Sequence, residues 1–474
     1  MKMSNRLLIL LCMVIMPCAL AQNKHLLFGF HDIPQSVLIN PSTTLENNWY
    51  VGFPLLSHIH ANIGSSGASA FDLFADDGRD FSTKLRSVIF RLEANDFYTA
   101  SQQLEIFSGG FSYGNGIEKD KYLSFGMYLD TDVIAYHPKD YAILAFEGNG
   151  NNIGRVFDLG DFNVSGEVVS VFHVGASKKV NNKLTIGARG KIYSSVFNVN
   201  STKNRGSFIT QQGEDNLLKH TFNLDLSVRT SGIKSLLGDD NSDVSNDIKA
   251  LRKRILLGGN LGLGLDFGIT YEVSDRLVFE ASIQDFGFIS HTKDIETYQV
   301  KGNYTFEGIN PIFPEAADGQ TADDYWDEVA DNFEDLFELD TTQTKYTTMR
   351  PLKLNTALRY AFGEKQSKDC NCLVDDIGYQ NEVGAQLYAI NRPKVPQLAL
   401  TAYYYRRIFN GFRVKATYTI DSFSFTNVGF GVSTHLGPVN FYVLADNLLA
   451  YQNLAKSQSA SLQFGLNLVF GRGQ

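Results

Sequence analysis

The stretch GLGLDFGITYEVSDRLVFEASIQDFGF, residues 262–288, alternates between two kinds of residue. The odd-numbered positions from 263 to 271 are apolar or aromatic, and the even-numbered positions carry glycine, aspartate or threonine. A period of two belongs to a β-strand with one apolar face and one small or polar face. The alternation resumes after the turn at 273–276, so the stretch predicts a β-hairpin.

The closely spaced glycines of this stretch resemble a phosphate-binding loop only superficially. A dinucleotide fingerprint needs a third glycine where the chain has Phe267, and its glycines must open a helix. The residues that follow have no helical periodicity. The glycines are therefore better explained as the small residues on one face of a strand, the face that would line the lumen if the strands form a barrel. They predict no nucleotide cofactor.

The same alternation recurs along most of the chain. It is clearest at 222–228, 412–420 and 461–470, and similar segments lie near 49–56, 101–113, 121–131, 164–176, 183–197, 298–308, 351–362, 381–390, 396–406, 424–435 and 438–446. These segments predict an all-β protein with about 14 strands and an upper limit of 16, a number within the range of membrane barrels.

Two architectures fit such strands. In a soluble sandwich the apolar faces fill a core, whereas in a membrane barrel they meet lipid and the polar faces line the lumen. Three features favour the barrel. Residues 1–21 resemble an export signal, the strands continue to the end of the chain, and the last strand ends at Phe470. We therefore predict a single transmembrane antiparallel β-barrel, with short helices in its loops.

The N-terminal residues predict export. Residues 1–21 combine Lys2 and Arg6 with an apolar run and Ala19-Leu20-Ala21, which is typical of a cleavable signal peptide. We expect a mature chain that starts at Gln22 and resides in the outer membrane of a Gram-negative cell. Residues 22–48 are weakly patterned, and residues 49–474 form the predicted barrel.

Charge and cysteine content exclude several functions. The formal net charge of −9 disfavours a nucleic-acid partner. Loss of the signal peptide leaves two cysteines, Cys370 and Cys372, which excludes a disulfide-built scaffold. This pair lacks the further ligands of a metal site, and a disulfide across one residue would be strained. No metal or cofactor is predicted.

Three segments carry helical rather than strand periodicity. Residues 321–338 combine an apolar stripe with eight carboxylates, which suits a calcium site, a docking surface for a basic partner, or a solvated helix face. We favour the solvated face because calcium-loop spacing is missing. Shorter helices are predicted at 243–256 and 138–146, where they would cap, plug or decorate the barrel.

Charged residues on the polar faces are the candidate site residues. They are predicted to face the lumen: Arg189, Lys191, Asp225, Asp266, Glu280, Lys353, Arg359, Arg413 and Lys415. Mixed charges pair into a structural lattice in a narrow lumen and select solutes in a wide one. Asp266 would either pair with a lumen cation or meet a passing solute. The sequence contains no convincing set of nucleophile and base, so we predict a protein that is not an enzyme.

The predicted strand list conflicts with the usual arrangement of loops. If the last strand ends in the periplasm, 435–438 form a periplasmic turn and 446–457 an external loop. Counting back through all the strands then places the short turn at 273–276 outside, where loops are usually longer. A strand is therefore missed or invented between 290 and 380.

Several motifs resemble known outer-membrane families. Residues 30–42, FHDIPQSVLINPS, resemble the N-terminal signature of PorP/SprF-type proteins and FadL-like transporters, with Ser42 where alanine is common. Residues 262–289, 427–447 and 464–472 resemble an uncharacterised, FadL-like family of Bacteroidota outer-membrane barrels. The resemblance implies a barrel in contact with outer-membrane lipid that passes a small or hydrophobic solute. It also implies an N-terminal plug, for which residues 22–48 are long enough. The alternative is a docking component, with envelope protein partners, of a type IX secretion or gliding assembly.

Overall fold

The computed structural model describes residues 26–114, 119–213, 218–234, 244–307, 339–365, 379–409, 411–448 and 455–471. They form one closed antiparallel β-barrel, which confirms the predicted fold class. The strand segments are β1 Trp49–Gly52, β2 Ile59–Ser65, β3 Phe97–Tyr113, β4 Lys121–Tyr136, β5 Val156–Asp158, β6 Val164–Asn181, β7 Leu184–Gln212, β8 Leu218–Ser231, β9 Asn260–Glu272, β10 Leu277–His291, β11 Ile295–Glu307, β12 Asp340–Thr342, β13 Tyr346–Met349, β14 Lys353–Lys365, β15 Tyr379–Ile390, β16 Gln397–Phe409, β17 Phe412–Asp421, β18 Asn427–Leu436, β19 Val439–Asp446 and β20 Ser459–Phe470.

Short helices lie in the connections between strands. The α-helices are α1 Ala70–Phe74, α2 Phe81–Arg91, α3 Lys139–Glu147 and α4 Val244–Lys253. A 3₁₀ turn spans Pro34–Leu38, a second spans Gly150–Asn152, and a π turn spans Arg254–Gly258. The helices α3 and α4 match the segments predicted at 138–146 and 243–256. No helix in the described part of the chain is long and apolar enough to cross a membrane.

The first and last strands close the barrel. Both β1 and β2 pair with β20 on one side and with β3 on the other. Trp49 lies opposite Phe470, and their rings stack with centroids 3.9 Å apart. The aromatic end of the last strand is therefore part of the closing seam.

The barrel has fourteen strands because several of its strands are interrupted. Both β8 and β9 pair with the single strand β7, β8 along its upper half and β9 along its lower half. Likewise β10 pairs with β9, and β11 pairs with β8. The predicted segments at 222–228 and 298–308 are thus upper halves of strands and do not cross on their own. Counting 298–308 as a separate strand is the error between 290 and 380.

With fourteen strands, the loops take consistent sides. The turns between β6 and β7, β9 and β10, and β18 and β19 all lie at the end of the barrel that carries Phe470, called the base here. The long connections 66–96 and 137–163 lie at the opposite end, the rim. Short turns are periplasmic in bacterial outer-membrane barrels, so the base is the periplasmic end. The turn at 273–276 lies at the base, contrary to the side given by the sequence count.

The helices α2 and α3 cover the rim next to a tall extension of the wall. Ile89 of α2 and Ile143 of α3 pack with Phe157, Phe208 and Leu224 in one apolar cluster. The strands β7, β8 and β11 carry this extension above the height that a transmembrane strand needs.

The wall is apolar outside and polar inside. In β9, Leu263 is 58% exposed, whereas its near neighbour Asp266 is fully buried. Fully buried polar side chains also line the inner faces of β16 and β20, among them Thr401 and Gln463. This distribution is the reverse of that in a soluble barrel and fits a wall surrounded by lipid. It decides between the two architectures that the alternation left open.

Residues 26–47, called the inner segment here, lie inside the barrel. Leu26, Phe28 and Phe30 are almost completely buried. They belong to one apolar cluster with wall residues such as Tyr405 and Tyr442. The signal peptide at 1–21, the acidic segment at 321–338, Cys370 and Cys372 lie outside the described residues and stay predictions.

Candidate functional site

One group of wall residues holds the inner segment by its backbone carbonyls. The Arg189 guanidinium donates to the carbonyl oxygen of Leu38 at 3.0 Å and also to that of Val37. It forms an ion pair with Asp266 at 2.9 Å. Gln284 donates to the Leu38 carbonyl at 3.1 Å, and Ser282 donates to the Ile39 carbonyl at 2.8 Å. The turn Pro34–Leu38 is therefore fixed to β7 and β10.

A second group holds the inner segment from the opposite wall. Arg413 bonds to Glu46 and lies 3.7 Å from Asp32, and Ser433 donates to Asp32 at 2.6 Å. Lys415 donates to the carbonyl oxygens of Leu26 and Phe28. Both ends of the inner segment are thus tied to β17 and β18.

Two charged or titratable groups of the inner segment have displaced pKa values. Burial alone would raise the pKa of Asp32, but the Arg413 guanidinium holds it well below its ordinary value, so the carboxylate is ionised. Burial, followed by the guanidinium groups of Arg359 and Arg407, lowers the pKa of His31 well below its ordinary value. His31 is therefore neutral near pH 7.

Two inward-facing glycines make room for the motif Asn40-Pro41-Ser42. A Cβ on Gly268 would collide with the side-chain oxygen of Asn40, and one on Gly187 would collide with the backbone carbonyl of Pro41. Ser42 adds a hydrogen bond of 2.9 Å to Thr270 on the same face. The glycines of the 262–288 stretch thus let a second layer of chain approach the sheet closely.

A buried ionic network lies beside the inner segment. Lys191 is 2.9 Å from Asp266 and 2.7 Å from Asp285, and Lys353 is 2.8 Å from Asp285. Arg350 pairs with Asp130 at 2.7 Å and also with Glu167. Opposite charges inside a narrow space are paired, so the lumen carries the structural lattice that mixed signs predict.

The cavity beside the inner segment is small. A polar cavity of about 60 Å³ lies between the walls, lined by residues that include Asp132, Gln284, Lys353 and Tyr388. It has room for only a few water molecules. The inner segment and the ionic network occupy the space beside this cavity.

A larger, apolar hollow lies on the outer face of the wall. Its volume is about 800 Å³, and we call it the depression. Outward side chains of seven strand segments line it: Phe107, Phe125, Phe172, Val174, Ile192, Leu263, Leu265, Phe286, Phe288 and Met349. Four glycines, Gly126, Gly190, Gly264 and Gly287, also line it. A Cβ on Gly190 would meet nothing within 4 Å, so this glycine leaves the hollow open.

An apolar cluster lies directly behind the depression. Tyr193 is fully buried, and the missing side chains of Gly264 and Gly287 leave room for its ring. Tyr193 packs with Leu38 of the inner segment, together with Tyr128, Val171 and Ile289. The part of the sheet that forms the floor of the depression thus has apolar contacts with the inner segment on its inner side.

The family model for the Family of unknown function DUF5723 matches residues 41–446, which includes most of this wall and the ionic network. The chain belongs to the DUF5723 family. No curated protein matches the sequence.

Solved outer-membrane barrels have a similar fold. A Pseudomonas aeruginosa FadL homologue is 10% identical, with 93% of this chain and 94% of that chain covered and a TM-score of 0.42. The Ralstonia pickettii toluene transporter TbuX is 11% identical, with 93% and 94% covered and a TM-score of 0.40. The translocator domain of the autotransporter NalP from Neisseria meningitidis is 7% identical, with 89% and 88% covered and a TM-score of 0.32.

In this DUF5723 barrel, eight of the nine candidate residues lie on inner faces. Arg189, Lys191, Asp266 and Lys353 join the network described above, and Arg413 and Lys415 hold the inner segment. Arg359 pairs with Glu382 at 3.1 Å and lies 3.8 Å from Glu280. Asp266 therefore pairs with lumen cations.

Asp225 lies apart from these eight residues. It lies in β8, within the extension above the barrel, and pairs with Lys203 at 3.4 Å. Its neighbours Leu224 and Leu226 take the opposite face and pack with the rim helices. The period of two is intact in β8. The apolar face of β8 packs against the rim helices, whereas the apolar faces of the strands within the membrane contact lipid.

Sequence reasoning missed Asp285 and Arg350. Asp285 sits in a β-bulge, where the register with β9 shifts between Ile283 and Phe286, and its φ is 60°. The bulge turns both Gln284 and Asp285 inward, so alternation places Asp285 on the wrong face. Arg350 lies in the break between β13 and β14. The interrupted alternation at 284–286 is the one signal that could have revealed the bulge.

Proposed function

We propose that this protein lets a small hydrophobic solute cross the outer membrane, and that the solute passes the wall at the depression. The observation that carries the proposal is the hollow of about 800 Å³ with apolar walls. Pockets for small molecules commonly have such a volume and lining. The lumen, by contrast, retains a polar cavity of about 60 Å³.

The contacts behind the floor suggest how the depression would communicate with the lumen. Leu38 and Tyr193 form the apolar layer between the inner segment and the glycines. A shift of the turn Pro34–Leu38 would release Tyr193 from behind Gly264 and join the hollow to the interior. The Arg189 bonds to Val37 and Leu38 oppose that shift.

The test uses a substitution that fills the depression and leaves the side chains of the lumen unchanged. Gly190→Phe places a ring into open space on the outer face, because nothing lies within 4 Å of its Cβ position. We expect the variant to fold and to abolish uptake of the hydrophobic dye N-phenyl-1-naphthylamine by Gram-negative cells that produce the barrel.

Ala188→Phe is the matched control, since Ala188 is exposed on the same strand but does not line the depression. Uptake in this control should equal that of the wild type. Unimpaired uptake by Gly190→Phe would refute passage at the depression.

The alternative function, a docking component of a type IX secretion or gliding assembly, rests on the resemblance to PorP/SprF-type proteins and on the acidic segment at 321–338. That segment lies outside the described residues, so the structure offers the alternative no support. Recovery of large envelope partners in a gentle detergent pull-down would favour it.

A further inference from the structure

Residues 244–259, called the insertion here, precede β9 and lie on the outer face of the wall. In β7, Ile192 is exposed and Tyr193 points inward, so Ser194 belongs to the outward face. Ser194 is nevertheless fully buried. Its hydroxyl donates to the backbone carbonyl of Arg254 at 2.6 Å and accepts from the backbone N–H of Gly259 at 3.3 Å. The π turn Arg254–Gly258 therefore covers the outside of the sheet.

The height of this contact places the insertion at the membrane surface. Ser194 is ten residues above Leu184, where β7 leaves the base. Ten residues of strand span about 33 Å, and a tilt of about 40° reduces this to roughly 25 Å along the membrane normal. That distance equals the height of the apolar band of such barrels. The insertion thus lies where the outer leaflet exposes its headgroups.

The exposed side chains of the insertion are of two kinds. Ile248 and Leu256 are both 55% exposed. Lys249, Arg252 and Lys253 are also exposed, and none of them forms an ion pair with a described residue. Apolar and cationic side chains side by side are typical of a helix that lies in the membrane interface.

Other contacts anchor the π turn at the end of the insertion to the wall. Arg254 pairs with Asp294 at 2.6 Å and donates to the Val196 carbonyl at 3.3 Å. Lys293 donates to the backbone carbonyls of Gly258 and Gly259 at 3.1 and 3.2 Å. These contacts hold the C-terminal end of α4, next to its exposed cations.

The local charge is opposite to that of the whole protein. The sequence from 243 to 254 contains four cations and the two carboxylates of Asp243 and Asp247, a net charge of +2, whereas the chain carries −9. Clusters of lysine and arginine on amphipathic helices recognise anionic lipid headgroups. We propose that α4 binds the phosphate groups of an anionic glycolipid in the outer leaflet, above the depression.

The experiment measures lipid binding by the full-length barrel. The protein is reconstituted in nanodiscs of phosphatidylcholine with bisphosphorylated lipid A, or with the same lipid after removal of its phosphates. We expect the wild type to retain only the phosphorylated lipid. Each neutralised cation should weaken binding about fivefold, and Lys249→Gln, Arg252→Gln and Lys253→Gln together by roughly 100-fold.

The matched control carries Lys178→Gln, Lys179→Gln and Lys183→Gln, which remove three exposed cations at the base of the same strands. It should bind lipid A like the wild type. Heat-modifiable migration in electrophoresis checks that each variant is folded, and the three single variants keep the test available if the triple variant does not fold.

Three results would overturn the proposal. One is equal retention of the phosphorylated and the dephosphorylated lipid. Another is displacement of lipid A by millimolar inorganic phosphate, which would identify a site for the free anion. The third is a triple variant that binds normally and only loses thermal stability, because the cations would then merely offset the dipole at the end of α4.

Discussion

Replacement of Arg189 by methionine should release the inner segment and open the lumen. The guanidinium donates to two backbone carbonyls, those of Val37 and Leu38, and pairs with Asp266. Methionine fills a similar volume without donating a hydrogen bond. Asp266 keeps its pair with Lys191 at 2.9 Å, so the variant leaves no isolated carboxylate.

The size of the effect follows from the bonds that are lost. A hydrogen bond from a charged donor contributes about 1.5–3 kcal/mol, so two contribute about 3–6 kcal/mol. The Leu38 carbonyl keeps its bond from Gln284, which favours the lower value. A loss of about 3 kcal/mol multiplies the ratio of released to docked inner segment by roughly 100.

Planar-bilayer recording provides the assay. The wild type should be almost silent, because the inner segment lies in the lumen and the cavity beside it has a volume of about 60 Å³. Arg189→Met should show frequent openings, and a chain that lacks residues 26–43 should stay open. Lys191→Met is the control, since Lys191 belongs to the same network and bonds to Asp266 and Asp285, with no bond to the inner segment. Equal silence of Arg189→Met and Lys191→Met, with openings in the truncated chain, would refute the reasoning.

The remaining predictions concern the fit and the charge of the inner segment. Gly268→Val should raise the open probability at least tenfold, because its side chain would collide with the side chain of Asn40 and with the backbone N–H of Ser42. The pKa of His31 is lower in the docked than in the released inner segment. The free energy of docking is therefore most favourable above about pH 6.5, and it becomes less favourable as the pH falls below that value. The open probability should rise up to tenfold per pH unit there, and His31→Gln should abolish this rise. Asp32, whose docked pKa is also lowered, should add a second loss of docking only below about pH 4.

Part of the candidate site could be predicted because strand alternation is a local property. The positions of Asp266 and Glu280 follow from the period of two in β9 and β10, and both side chains are buried inside the barrel. Their partners could not be predicted. Arg189 precedes Asp266 by 77 residues, and only the pairing of β7 with β9 brings them together.

The interrupted strands show the limit of the same reasoning. Alternation in 222–228 and 298–308 looks like that of any crossing strand, yet β8 and β11 share their partners with β9 and β10. A residue pattern reports which side chains face inward, but it carries no information on the height of a strand in the wall. Sixteen apparent strands therefore become fourteen.

Local patterns in the sequence establish strands with one apolar and one polar face, and the export signal and the aromatic end of the last strand favour a membrane barrel over a soluble sandwich. How the interior of the barrel is used depends on its tertiary structure. The folding of the inner segment over Gly187 and Gly268, the inward turn of Asp285 and the hollow at Gly190 depend on contacts between distant parts of the chain. Such contacts arise from the closure and register of the whole barrel, which no local stretch of sequence contains.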